Sequence, residues 1–422
     1  MRDALLIFWI ATMGADRIDL LAQAGPVTLP PYLLLLPLVL ALELPSFAER
    51  KMRFPREGQV YLLLVCLLAA LAMASAAAST DPGLSARRSV LLVIQILSIL
   101  LVAVVLANRA DPGTILRRGA YLGLAISFGF NVAQVVVWLN NPAAVGGGMV
   151  DLVPGRYGSL MPRPGGQTLD PNRGGMLFAL YLFVLYRFGR PARARVAATV
   201  GTVLSLVLTL SRSATMGALT MAAVAVAEAR RIRLTPARVA VGSVLAAAGI
   251  LAIFTIPGAA DRIAEVGEPL ATRFSTRNAG KDVHVELVVR ALDVAGRSWK
   301  NALIGIGYGN AGSVLTDLLP GTEYANFHSL YATLLAEMGI VGLLIGLAVL
   351  LYPAVRANPF RPVIVGFIFF NLFYQLLSEP AFWLVLSCAW LRVGARPPDE
   401  PGFDAPPRPA SSSPPLADVL AR

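Results

Sequence analysis

The sequence predicts an all-α polytopic integral membrane protein, with about twelve transmembrane helices and one large extracytoplasmic loop. Three observations carry that prediction. Of the 422 residues, 56% are apolar and the mean hydropathy is +0.66, more apolar surface than one globular core can bury. The apolar residues fall into runs of roughly 15–22, the length of a helix that crosses a hydrocarbon core. The basic residues behind the net charge of +11 sit in small clusters between those runs, where they act as topology signals. They form no single stripe, so a nucleic-acid partner is excluded.

Taken in order, spans are expected near 4–22, 30–48, 59–79, 88–107, 118–139, 173–189, 195–210, 214–229, 238–256, 329–352, 361–377 and 380–394. The N-terminal stretch MRDALLIFWIATMGADRID has no small-residue cleavage site and reads as a retained first span, although Asp16, Arg17 and Asp19 interrupt it. Arg50, Lys51, Arg53 and Arg56 follow the second span, Arg109, Arg117 and Arg118 the fourth. Arg187, Arg190, Arg193 and Arg195 follow the sixth, and Arg230, Arg231, Arg233 and Arg238 the eighth. Every even connection is basic, which places these connections and both termini in the cytoplasm. The odd connections then face outward.

Four regions follow: helices one to nine in 1–256, an extracytoplasmic loop subdomain in 257–328, helices ten to twelve in 329–395, and a Pro- and Ser-rich cytoplasmic tail in 396–422 whose composition predicts disorder. A second outward segment, 140–171, is rich in Gly and Pro. The two cysteines, Cys66 and Cys388, lie inside apolar runs and read as packing residues. No internal repeat of fixed period is present.

Few residues in this chain can do chemistry. Arg212, in TLSRSATMGAL, lies between two apolar runs at the outer end of a tight helical hairpin. An arginine at that depth pairs with a partner, lines a wet cavity, or snorkels to the interface. The chain has two histidines, His284 and His328, and His328 opens the span NFHSLYATLLAEMGIVG. An imidazole at the lip of a membrane is either an interfacial hydrogen-bonding group or a proton acceptor. Glu337, nine residues on, is an intramembrane carboxylate that needs a partner.

In the long loop, Val285, Val288, Val289, Leu292 and Trp299 share one apolar helical face. On the same helix, Glu286 with Arg290 and Asp293 with Arg297 have the i,i+4 spacing of ion pairs, which neutralises both arginines. Upstream, Arg273, Arg277 and Lys281 precede the helix N-terminus. They are either a phosphate-binding cluster or a solvated basic loop. GIGYGN at Gly305 follows no strand and reads as a turn that lets backbone approach a ligand or the membrane surface. DPNRGG at Asp170 places Asn172 and Arg173 at the start of a span, where either could line an outer cavity, though a helix cap with an interfacial arginine is the commoner arrangement. No acidic pair, histidine cluster or cysteine set offers a metal site, so chemistry would rest on arginine electrostatics and a side-chain base.

As an ordered set, the SRS motif around Arg212, LIGIGYGN in the loop and NFHSLYATLLAEMGIVG resemble the O-antigen ligase and polysaccharide polymerase family of bacterial cell-envelope enzymes, over most of residues 160–350. The resemblance implies metal-independent, cofactor-free, inverting glycosyl transfer at the outer face of the inner membrane. The implied donor is an undecaprenyl-pyrophosphate-linked glycan, and the implied acceptor is a sugar hydroxyl of a glycan or of a lipid A-core. Polysaccharide-assembly proteins are further implied partners. It assigns His328 the role of general base and Arg212 that of donor-pyrophosphate ligand. Two positions depart from the family pattern: Ser329 replaces an asparagine after the histidine, and His284 and Val288 replace an arginine and a tryptophan at the start of the loop helix. The second cationic contact to the donor then falls to Arg273, Arg277, Lys281 or His284. The competing class is a lipid-linked oligosaccharide flippase or other polysaccharide transporter, which internal pseudo-repeats would favour.

Overall fold

The computed structural model describes residues 1–18, 30–49, 56–140, 151–154, 160–189, 192–209, 211–229, 283–318 and 326–391. Helices stand at each expected span except 238–256, which lies outside the described residues. They are α1 (Arg2–Ala11), α2 (Pro31–Glu49), α3 (Arg56–Ala77), α4 (Pro82–Ala107), α5 (Pro112–Asn140), α6 (Pro171–Phe188), α7 (Ala192–Thr209) and α8 (Arg212–Ala229). Three shorter helices follow, α9 (Val283–Gly296), α10 (Trp299–Ile304) and α11 (Ala311–Leu318), and then α12 (Leu330–Val355), α13 (Arg361–Phe370) and α14 (Pro380–Trp390).

Two features differ from the expectation. Among the described residues, α3, α4, α5 and α12 are the helices long and apolar enough to cross a membrane by length and composition, so the expected spans found there are not all full-length. The run at 4–22 is helical only to Ala11, beyond which the chain turns through Gly14 at φ 80°, and the runs at 361–377 and 380–394 give short helices flanking a non-helical stretch, 371–379. The second difference is a two-stranded antiparallel ribbon within the otherwise helical architecture. Its strands are β1 (Asp151–Pro154) and β2 (Leu160–Arg163), with Asp151 opposite Arg163 and Pro154 opposite Leu160.

Helix starts follow from local chemistry. Asp81 accepts from the Leu84 N–H at 2.9 Å with Pro82 in the first turn of α4. Asp170 accepts from the Asn172 N–H at 2.6 Å and the Arg173 N–H at 3.3 Å with Pro171 next in line. In each case a carboxylate satisfies free backbone donors and proline supplies the preset φ. The core is filled by fully buried Trp9, Phe178, Phe367, Phe370, Phe382 and Trp383. Large apolar residues on α3 and α4, including Leu63, Leu67, Leu91, Ile94 and Leu97, are exposed. That is the surface a lipid solvent requires.

Pairings sort the helix ends into two sets. At one end Arg109 bridges Asp3 and Glu43, Arg117 donates to the Phe188 carbonyl, and Arg361 pairs with Glu228. Trp390 stacks between Tyr61 and Tyr352 at the same end, with centroids 5.0 and 4.6 Å away. At the opposite end meet the last turns of α1, α3 and α7 and the first turns of α6, α8 and α12. This up-and-down alternation is the one the charge pattern requires. The segment 163–170 enters between helices at this end: Gly166 N–H donates to Asn131 Oδ1 at 2.7 Å, and Gln167 Nε2 donates to the Ala11 and Met13 carbonyls. Irregular backbone among apolar helices is tolerated where its polar groups are satisfied in this way.

Candidate active site

The end of the bundle opposite the arginine-rich connections holds a connected polar layer. His328 is its most unusual member. Among the described residues it alone, apart from glycines, has positive φ, at 49°. A left-handed backbone costs about 1–2 kcal/mol for a residue with a Cβ, and such outliers cluster at functional sites. Three contacts hold it there. Its N–H donates to Asn326 Oδ1 at 2.8 Å, Phe327 before it is fully buried, and Ser329 after it caps α12. The half-buried histidine is thereby pinned at the first turn of the helix.

The non-helical stretch 371–379 holds that turn in place. The Leu330 N–H donates to the carbonyls of Asn371 and Tyr374, at 3.0 and 2.9 Å, and Ser329 Oγ donates to Asn371 O at 3.3 Å. The Tyr374 hydroxyl donates to Asp170 Oδ2 at 3.0 Å, so the carboxylate that caps α6 also anchors the support of His328. Beside it, Arg173 forms ion pairs with Asp16 (Nη1–Oδ2 2.5 Å) and Glu379 (Nε–Oε1 2.7 Å), all three largely buried. Arg163 continues the layer, donating to Asn172 Oδ1 at 3.5 Å and to the Thr209 carbonyl at 2.9 Å.

Thr209 ends α7, and Arg212 opens α8. Ser211 Oγ accepts from the Ala214 N–H at 3.1 Å and lies 3.1 Å from Ser213 Oγ, so both serines are used inside the turn while the Arg212 side chain is exposed. Gly175 of α6 lies against Ala214, and Gly217 against Gly366 of α13. These close approaches place the start of α8 beside α6 and α13. His328 and Arg212 therefore stand at the same end of the bundle, joined through Tyr374, Asp170, Asn172, Arg163 and Thr209. Arg273, Arg277 and Lys281 lie outside the described residues, and His284 lies on the first turn of α9.

The intramembrane carboxylate Glu337 is satisfied by backbone. Buried on α12, it accepts from the Ala311 N–H at 2.9 Å and from the Gly309 N–H. The glycine loop that supplies those donors packs its backbone closely against protein. Gly305, Gly307 and Gly309 all have positive φ, and their backbone lies against Glu337 and Met338, Ser79, and Arg88 in turn. The N–H groups of Ile306 and Gly307 donate to the Ala336 and Glu337 carbonyls at 3.0 and 2.9 Å. Those carbonyls lie next to Gly339, where α12 breaks with φ 68°. The loop thus satisfies the groups around the break. Burial pushes the neighbouring Tyr308 hydroxyl well above its ordinary range, with Glu337 adding to the effect and Arg88 opposing it.

The expected ion pairs of the loop helix are present, Arg290–Glu286 at 3.3 Å and Arg297–Asp293 at 3.4 Å. Sequence reasoning missed Asp16, Tyr374 and Glu379, and favoured an interfacial arginine at a helix cap over a cavity-lining role for Arg173. The available signal was that Asp16, Arg173 and Glu379 are all charges at the edges of apolar runs, on the same side of the expected topology.

Residues 196–347, which include Arg212, Glu337 and His328, match the O-Antigen ligase family model. That region is therefore similar to the O-antigen ligase family, a similarity that suggests a membrane glycosyl-transfer-related function. No curated protein matches the chain.

Proposed function

We propose that this O-antigen ligase-like chain is an inverting membrane glycosyltransferase that moves a glycan from an undecaprenyl-pyrophosphate carrier to a sugar hydroxyl. The acceptor is a second glycan or a lipid A-core, and the site faces the periplasm from the inner membrane of a bacterium. The observation that carries the reading is the strained His328 turn, held by the 371–379 stretch and through it by Asp170, at the end of the bundle where α8 presents Arg212.

In this mechanism His328 accepts the proton of the acceptor hydroxyl as its oxygen attacks the anomeric carbon. The bond from that carbon to the pyrophosphate oxygen breaks, and the electron pair leaves on the pyrophosphate. Arg212 balances the growing charge, because a guanidinium matches phosphate oxygens in geometry and sign. Arg273, Arg277, Lys281 and His284 are the candidates for a second contact to the leaving group. The resemblance stated from sequence is the ground for treating the reaction as metal-independent.

The test is glycan profiling of cells lacking this protein and complemented by wild type, His328→Ala or Arg212→Ala. Wild type restores long glycan, while both variants insert normally and fail. Accumulated single lipid-linked units then identify a polymerase, and full-length chains left on the carrier identify a ligase. Full complementation by both variants would replace the enzyme with a transporter.

A further inference from the structure

The loop helix α9 carries two apolar stripes, and the one most evident in the sequence is not the one that packs. Leu287, Ala291 and Val294 are buried, in a small core with Ile306, Leu315, Phe327, Ala332 and Ala336. Val288, Val289 and Leu292 are exposed, Leu292 by 55%, and Trp299 at the start of α10 is exposed by 78%. At about 100° per residue, the helix divides into three sectors. One faces the protein through Leu287, Ala291 and Val294. A second, centred on Leu292, is apolar and uncovered. The third holds Glu286, Arg290, Asp293 and Arg297, which pair with each other and face water.

Three sectors of different polarity suit a helix at a junction of three media. The level of α9 and α10 in the fold agrees. Lys300, next to Trp299, donates to the carbonyl of Ala78 just beyond the end of α3, and the Thr80 N–H donates to the Ile306 carbonyl at 3.1 Å. Both contacts are at the α3–α4 corner, where two membrane-length helices end. Below that corner, Met73 of α3 and Val90 and Leu91 of α4 are exposed apolar residues of the surface that faces lipid.

We infer that the Val288–Val289–Leu292 face of α9, together with Trp299 and Leu303 of α10, rests on the headgroup–acyl boundary of the outer leaflet. An in-plane helix with an apolar stripe, a charged stripe and a tryptophan at its end is the form that binds such a boundary. A phospholipid surface is the committed occupant because Lys300 and Ile306, on either side of the end of α10, tie this region to the corner where the membrane-length helices α3 and α4 meet. This inference does not depend on the reaction proposed above.

The full chain, with Cys66→Ser and the buried Cys388 retained, is reconstituted into nanodiscs of phosphatidylglycerol and phosphatidylcholine. A nitroxide is placed at Leu292→Cys in one sample and at Asp293→Cys in another. Collision with oxygen, which concentrates in lipid, is compared with collision with a water-soluble nickel chelate. The label at 292 should favour oxygen several-fold and the label at 293 the chelate several-fold, a contrast between adjacent residues that loss of folding would abolish. Equal exposure of both labels to the chelate would overturn the proposal in favour of an open face. Shielding of the 292 label that disappears on dilution to one chain per disc would overturn it in favour of a second copy of this chain.

Discussion

Gly305 and Gly339 lie back to back: a Cβ on Gly305 would overlap the backbone of Glu337, and a Cβ on Gly339 would overlap the backbone of Leu303. Both have positive φ as well. Alanine at either position should therefore destabilise by at least the left-handed cost of about 1–2 kcal/mol, and lower the thermal midpoint of detergent-purified protein. Gly296, with open space around it and no positive φ, is the control. Gly296→Ala should leave the midpoint near wild type. Equal midpoints for all three variants would disprove the close approach.

The strain at His328 and its proposed chemistry separate by substitution. Asparagine tolerates a left-handed backbone and valine does not, so His328→Asn should keep wild-type stability and His328→Val should lose about 1 kcal/mol or more. Neither retains the base, and both should fail to restore long glycan. A stable and active His328→Asn would remove the histidine from the mechanism while leaving the turn intact.

Removing the Arg173 side chain leaves Asp16 and Glu379 buried without a counter-charge. Arg173→Met should cost about 3–5 kcal/mol, the usual range when one partner of a buried pair is lost. Adding Glu379→Gln should recover part of that loss, since one uncompensated carboxylate is then gone. Additivity of the two single changes in thermal unfolding would show that the pair is not coupled.

Tyr374→Phe keeps the ring against Phe370, 5.2 Å between centroids, and deletes only the hydroxyl that reaches Asp170. A hydrogen bond to a carboxylate contributes about 1.5–3 kcal/mol. The variant should insert, melt lower, and make less long glycan because the support of His328 is loosened. Wild-type glycan yield at a lowered midpoint would confine Tyr374 to a structural role.

The charge pattern also predicts topology. A fluorescent protein fused after Arg422 should glow, and alkaline phosphatase fused in its place should stay inactive, as for a cytoplasmic end. The reverse pair of results would invert the orientation and move His328 to the cytoplasmic side.

Much of the helical layout was legible because a membrane requires long apolar runs, and those runs are visible one residue at a time. Arg212 and His328 stood out for the same reason, as polar residues at the edges of such runs. Contacts between distant segments were not legible. Arg173 looked like an interfacial cap because its partners come from distant places, Asp16 from the first expected span and Glu379 from the connection before the last. Glu337 needed a partner, and the N–H groups of Gly309 and of Ala311, at the start of α11, supply it; backbone donors leave no mark in side-chain pattern. The stripe through Val288 and Leu292 shows the limit of periodicity. It locates an apolar face correctly and cannot say whether protein or lipid covers it.

The Arg173 cluster also bears on biosynthesis. Asp16 enters the membrane early, Arg173 midway, and Glu379 only near the end of translation, so the arginine has half of its counter-charge until the last helices arrive. This end of the bundle is therefore completed late, and until then an incompletely neutralised cation within an apolar environment distinguishes an unfinished chain from a finished one. A chain cut before Glu379 would keep that mark permanently, and membrane quality-control proteases would have a physical feature by which to remove it.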